Sequence, residues 1–159
     1  MQGSCLGARV GHLHRVVARR FDQALRPLGL TLPQLEILTA LTLHSEPVTP
    51  AIIAEKLAVE RSTMSRNLAL MEAGGLVVTT RTSAAGRSMA VTITSQGTEA
   101  LVRAGDAWAE AQAAVADLLG AEAPAILDAW LDGRVTQGRP VQPVAGSRPD
   151  VRRTVPIRR

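Results

Sequence analysis

The spacing of apolar residues changes abruptly in the middle of this 159-residue chain. Between residues 31 and 73, apolar side chains recur every three or four positions, which is typical of amphipathic helices. The period then falls to two in residues 76–81 and 88–94, which are separated by the polar residues 82–87. Two helices in close succession followed by a two-stranded hairpin predict a winged helix-turn-helix, a mainly α-helical fold with a small β wing.

Helix start and stop signals divide the rest of the chain. Thr31 and Gln34 have capping-box spacing, and Gly29 and the Gly74-Gly75 pair are suited to end helices. The sequence therefore predicts helices at about residues 4–28, 31–44, 49–57, 61–73 and 95–119, and a last helix that contains Ile126 and Trp130. In the second strand, the residues that share one face are Met89, Val91 and Ile93.

The two long helices carry apolar stripes that extend beyond what one small core can bury. In the first helix the stripe consists of Leu6, Val10, Leu13, Val17, Phe21 and Leu25. In the fifth helix the apolar positions are Leu101, Ala104, Trp108, Ala111, Val115 and Leu118. The spacing predicts a homodimer with a domain at residues 1–132, whose dimerisation helices lie at about 4–28 and 95–132 and whose DNA-binding part lies at about 31–95.

Charge separates this domain from the end of the chain. Residues 1–132 hold 11 basic and 13 acidic residues, whereas residues 133–159 hold seven arginines and one aspartate. The tail has no apolar period, so we expect it to be disordered and to add a non-specific electrostatic contribution to DNA binding. Arg9 and Arg15 interrupt the N-terminal region, and no long apolar stretch is present, which predicts a soluble, cytoplasmic protein without membrane contact.

The fourth predicted helix carries the functional signal. At 100 degrees per residue, Met64, Leu68 and Met71 form a buried stripe, and Ser62, Arg66 and Ala69 lie on the opposite side. Small residues let such a helix enter the major groove, hydroxyls reach phosphates, and arginine and asparagine can read base edges. The DNA-binding residues predicted on this helix are Arg61, Ser62, Thr63, Ser65, Arg66 and Asn67.

Two other interpretations remain open at this point. The fourth helix can be an ordinary amphipathic surface helix in which Arg66 pairs with Glu60 or another carboxylate. The whole chain can also be a winged-helix protein-interaction or sensor module with weak or no DNA binding. A gel shift against the protein's own promoter region separates the second alternative from a DNA-binding regulator.

Catalytic and metal-binding patterns are missing from the sequence. It has no nucleophile–base motif, no glycine-rich phosphate loop and no carboxylate cluster, so we predict neither an enzyme nor a cofactor. His12 and His14 are two positions apart and point to different helix faces, which suits surface or pocket-lining roles better than metal chelation. Cys5, the single cysteine, is either a passive thiol or an oxidant sensor assisted by Arg9 one turn away.

Several segments together resemble the MarR (multiple antibiotic resistance regulator) family. Residues 21–31 are similar to the junction between its first two helices, and residues 61–68 to its recognition helix. Residues 75–77 and 93–97 bracket the wing as in that family, and Trp108-Ala109-Glu110-Ala111-Gln112 is similar to one of its branches. The resemblance covers about residues 4–132.

This resemblance implies an obligate dimer that places paired winged domains on a pseudo-palindromic double-stranded operator. It also implies a repressor that is released by a small phenolic or lipophilic effector or by oxidation. The family's wing usually carries an Asp-x-Arg tip, in which the aspartate braces an arginine in the minor groove. Arg87 matches that arginine, but Ala85 replaces the aspartate, so we expect the wing to contribute less affinity than usual.

Overall fold

The computed structural model describes residues 5–81 and 89–132, and these form two compact units that divide after Leu118. In chain order the elements are α1 (Leu6–Leu25), a 3-10 turn (Arg26–Leu28), α2 (Leu32–Thr42), α3 (Pro50–Lys56), α4 (Arg61–Ala73), β1 (Val77–Arg81), β2 (Met89–Ile93), α5 (Ser95–Leu119) and α6 (Ala123–Leu131). The elements up to β2 and nearly all of α5 belong to the first unit, and α6 belongs to the second. The predicted α4 and α5 agree with the observed bounds, whereas α2 ends two residues before His44.

Three helix ends share one backbone arrangement. After the 3-10 turn, α3 and α4, an N–H group bonds to the carbonyl five positions earlier, at 3.3, 2.8 and 2.9 Å respectively. Each of these ends needs one residue in the left-handed conformation, and glycine adopts it without steric cost. Gly29 (φ 70°) and Gly75 (φ 72°) meet this need as the sequence predicted, but the third position is Ala58 (φ 51°).

Two side chains fix the start of α2. Gln34 Oε1 accepts the backbone N–H of Thr31 at 3.0 Å, which agrees with the predicted capping box. Asp22, on α1, accepts the N–H of Leu32 at 2.8 Å. This second bond stabilises the helix N-terminus with a negative charge and joins α1 to α2.

The core of the first unit lies among α2, α3, α4 and the hairpin. Leu35, Leu38 and Leu41 of α2 are buried, as the period predicted, together with Ile53 and Val91. The two strands are antiparallel, with Val77 opposite Ile93 and Arg81 opposite Met89. Val48 extends this pairing through two backbone bonds to Val91, of 3.1 and 2.8 Å. The sequence analysis did not identify this bridge.

Several apolar residues of the predicted stripes are exposed. Leu6 and Val10 at the start of α1 are 74% and 61% exposed, whereas Phe21 and Leu25 further along the same stripe are buried. Met89 is also exposed, so the face predicted for β2 is buried at Val91 but not at this end of the strand. No helix in the described part of the chain is long and apolar enough to cross a membrane.

Candidate nucleic-acid interface

Helix α4 is held to the first unit by one apolar side. Met64, Leu68 and Met71 are between 0% and 6% exposed, and the helix packs against α2, α3 and β1. This is the stripe that the sequence predicted. The opposite side of the helix therefore faces outward, away from the core.

The outward face of α4 presents small, hydroxyl and basic side chains. Arg61, Ser62, Thr63, Ser65 and Arg66 are all exposed. Within the described residues, Arg66 makes no ion pair with Glu60 or with any other carboxylate. The structure thus gives no support to the alternative in which Arg66 is occupied by a surface pair, and its guanidinium remains available to a ligand.

Asn67 has different surroundings from the other predicted site residues. Its side chain is half-buried, and its Nδ2 donates a hydrogen bond of 3.0 Å to the backbone carbonyl of Thr63. An amide that bonds to its own helix must turn before it can read a base edge. The five exposed side chains therefore form one surface, and Asn67 lies at its margin.

The C-terminal end of α4 is tied to the elements that follow it. Glu72 Oε1 accepts the N–H of Thr79 on β1 at 2.9 Å, and Gln96 Nε2 donates to the carbonyl of Gly74 at 3.1 Å. These bonds join the helix to the hairpin and to the start of α5. A rigid connection of this kind fixes the outward face of α4 relative to the hairpin.

The tip of the predicted wing, including Ala85 and Arg87, lies outside the described residues. The last described residue of β1 is Arg81, which is exposed and lies opposite Met89. The sequence analysis did not select Arg81, although an arginine directly before a polar hairpin tip is a usable signal. Its position makes it a further cation on the wing.

A cavity of about 700 Å³ lies within the same unit, between α1, α2, α5 and the end of α3. Most of its wall is apolar, including Val17, Phe21, Leu35, Leu101 and Trp108. Its ionisable lining residues are His14, Glu36 and Lys56. A concave, mostly apolar space with a few polar groups is the usual form of a small-molecule site.

The charged lining residues carry the electrostatics of this cavity. Burial raises the pKa of Glu36, and the nearby His14 acts in the opposite direction by favouring the carboxylate. The sequence analysis placed His14 among surface or pocket-lining histidines but did not select Glu36 or Lys56. Their spacing carries no signal of its own, because the cavity exists only once three helices have packed.

Cys5 precedes α1 as its N-cap residue, and its thiol is exposed. Its predicted redox role remains a prediction. Within residues 5–81 and 89–132, no group of three His, Cys, Asp or Glu side chains is arranged to hold a metal ion.

The fold and the outward face of α4 define a winged helix-turn-helix protein, and comparisons with known proteins agree. The sequence model of the MarR family matches residues 28–88. The HTH-type transcriptional repressor Rv2887 from Mycobacterium tuberculosis is 33% identical over 108 residues, which cover 64% of this chain and 77% of that protein.

Two solved structures extend the likeness over most of the chain. The M. tuberculosis transcriptional regulator MosR in complex with DNA has 30% identity and a TM-score of 0.72, covering 85% of this chain and 98% of MosR. Rv2887 in complex with salicylic acid has 29% identity and a TM-score of 0.58, covering 81% of this chain and 95% of Rv2887.

The chain therefore belongs to the MarR family and is a winged helix-turn-helix transcriptional regulator. The relatives that it matches are transcriptional regulators rather than enzymes.

Proposed function

We propose that the protein is a repressor that binds a pseudo-palindromic DNA operator as a homodimer and is released by a small hydrophobic effector. The observation that carries the DNA-binding part is the outward face of α4. Its arginines and hydroxyl side chains are exposed while Met64, Leu68 and Met71 hold the opposite side in the core. This arrangement suits entry into a major groove, and the related MosR was solved bound to DNA.

The exposed apolar residues support the homodimer. Leu6, Val10 and Leu13 on one side of α1 are 74%, 61% and 38% exposed. Considered by itself, α6 is also rich in exposed apolar residues, with Ile126 at 42% and Trp130 at 47%. Obligate dimers cover surfaces of this kind, and we expect an interface of more than about 2,000 Å² in total.

The cavity supports control by an effector. Its volume of about 700 Å³ fits a small aromatic or lipophilic molecule, and its wall includes the apolar side chains of Phe21 and Trp108. The related Rv2887 was solved in complex with salicylic acid. We propose that occupation of the cavity lowers the affinity for the operator.

A gel shift with DNA from the protein's own promoter region tests the proposed function, with light scattering on the same sample. We expect a dimer at micromolar concentration and a shifted complex that survives competition by scrambled DNA. A protein that binds neither the promoter nor other DNA would support the alternative of a protein-interaction module. A monomer would contradict the proposed assembly.

A further inference from the structure

Lys56 differs from the other charged residues that line the cavity. It is the only lysine in the chain and the last residue of α3. Within the described part of the chain it makes no hydrogen bond or ion pair. The cavity wall therefore carries an ammonium group whose countercharge the protein does not supply.

The other ionisable groups do not fill that role. Glu36 lies on α2 near His14 of α1, and the charge of this histidine favours the Glu36 carboxylate. The remaining wall is mostly apolar, so an anion inside the cavity has one full positive charge available to it, that of Lys56. An ammonium–carboxylate contact beside apolar walls is stronger than the same contact in water.

Lys56 also occupies a distinctive place in the fold. With Leu57, it is the part of the helix-turn-helix pair that lines the cavity, since the other lining residues come from α1, α2 and α5. Ala58 follows directly in the left-handed conformation, with φ 51°. The short segment 58–60 then leads to Arg61, the first residue of α4.

A ligand that draws on Lys56 therefore acts at the turn that sets the position of α4. The turn is held by the backbone bond from Val59 to Ala54, at 2.8 Å. Alanine in the left-handed conformation stores steric strain that glycine would not. A turn under strain has a smaller free-energy difference to an alternative arrangement, which makes it a suitable point of response.

We propose that the cavity takes a hydrophobic carboxylic acid whose carboxylate pairs with Lys56, and that Lys56 is the residue that discriminates this acid from its neutral analogues. The inference rests on the proposed effector function of the cavity and specifies its ligand class. Because Lys56 belongs to α3, this contact also connects occupation of the cavity to the recognition helix.

The test uses salicylate and its neutral amide, salicylamide, on the full chain without DNA. Trp108 lines the cavity, so its fluorescence reports binding in a Trp130→Phe background. Lys56→Met removes the charge and keeps an unbranched side chain, whereas Lys56→Arg keeps the charge. We expect Lys56→Met to weaken salicylate binding by about tenfold or more and Lys56→Arg to restore most of it.

Two controls distinguish a specific contact from a general change. Salicylamide affinity should stay within about twofold in Lys56→Met, because the neutral amide gains little from the ammonium group. Arg103→Met removes an exposed cation of α5 that does not line the cavity, and it should leave both affinities unchanged. Equal loss of both ligands in Lys56→Met, no loss of salicylate, or no binding of salicylate by the wild-type chain would each overturn the proposal.

A second readout uses the single lysine. Acetylation by an amine-reactive reagent, followed by mass spectrometry, reports Lys56, with the N-terminal amine as internal reference. Salicylate should slow acetylation of Lys56, and salicylamide should not. Both experiments are independent of DNA, so a wild-type chain that fails to bind its promoter but shows this protection would contradict the proposed repressor and leave the ligand assignment standing.

Discussion

The hydroxyl of Thr94 donates a hydrogen bond of 2.6 Å to the backbone carbonyl of Gly75. The same oxygen accepts the N–H of Gly97 at 3.0 Å, which caps the first turn of α5. The N–H of Thr94 also donates to the carbonyl of Leu76, at 3.1 Å. One threonine thus joins the end of the recognition helix to the beginning of the long α5.

Replacing Thr94 by valine keeps the shape of the side chain and removes its hydroxyl. The variant loses the cap of α5 and leaves the Gly75 carbonyl without this donor. We expect a loss of about 1–2 kcal/mol in the free energy of unfolding, measured by urea denaturation. Thr94→Ser keeps the hydroxyl and should lose much less, and equal losses in the two variants would contradict this account.

Gly97 lies where α5 passes close to the backbone of Leu76. A Cβ added at this position would overlap the Leu76 carbonyl oxygen and approach Ile93 Cγ1 to 2.9 Å. Because a backbone carbonyl cannot move aside cheaply, we expect Gly97→Ala to destabilise the fold by about 1–3 kcal/mol.

Gly105 provides the matched control in the same helix. A Cβ there meets nothing within 4 Å, so Gly105→Ala should stabilise α5 by about 0.5–1 kcal/mol through helix propensity. Thermal unfolding of the two variants under one condition tests the pair. A stable Gly97→Ala protein would show that the contact between α5 and Leu76 is looser than described.

Ala58 is the exception among the three left-handed helix ends, where Gly29 and Gly75 occupy the other two. Ala58→Gly removes the steric cost of the left-handed conformation but increases the entropy of the unfolded chain. Since the first effect is the larger, we expect a net gain of about 0.5–1 kcal/mol in urea denaturation. A loss of stability would indicate that the Ala58 methyl group makes packing contacts that outweigh its strain.

These helix ends illustrate how far the sequence alone leads. Gly29, the Gly74-Gly75 pair and the spacing of Thr31 and Gln34 act over a few residues, so local pattern was enough to predict the boundaries they set. The same holds for the stripe of Met64, Leu68 and Met71, because a helix of fixed pitch determines which positions share a face.

Features that depend on tertiary contact were not predicted. The bond from Asp22 to the N–H of Leu32 spans ten positions, and the bridge between Val48 and Val91 spans a much longer separation. The cavity also escaped prediction, because Glu36 and Lys56 belong to different helices and gain their meaning only after packing. The exposed start of α1 agrees with the predicted dimer stripe, since a second copy is needed to cover it.

Glu36 should titrate above its ordinary pKa of 4.5, because burial disfavours its charged form more than His14 favours it. A carbon-detected NMR titration measures this directly, and Glu36→Gln assigns the signal. A raised pKa in the folded state means that this carboxyl contributes stability below pH 4.5, and that the contribution is lost as the pH rises through the folded value.

At pH 7, Glu36→Gln should therefore be as stable as the wild-type chain or slightly more stable, and the difference should disappear in acid. The side chain is partly exposed, so solvent screening keeps the effect below about 0.5 kcal/mol. A Glu36 carboxyl that titrates below 4.5 would indicate that the attraction of His14 outweighs burial.

The sharpest prediction compares the recognition helix with the wing. Arg66 is exposed opposite the buried stripe and has no ion pair within the described residues, so on docking it should face the major groove. If it forms a bidentate contact with a guanine, Arg66→Ala should cost about 1–3 kcal/mol and relax the preference at one base pair. Arg87 lacks the bracing aspartate, because Ala85 stands in its place, and its loss should weaken binding to all sequences by a similar factor. Both variants should be titrated with operator and scrambled DNA at one salt concentration, since the phosphate contribution depends on salt. If Arg66→Ala lowers both affinities equally while Arg87→Ala alone reduces discrimination, the wing and not the helix reads the sequence.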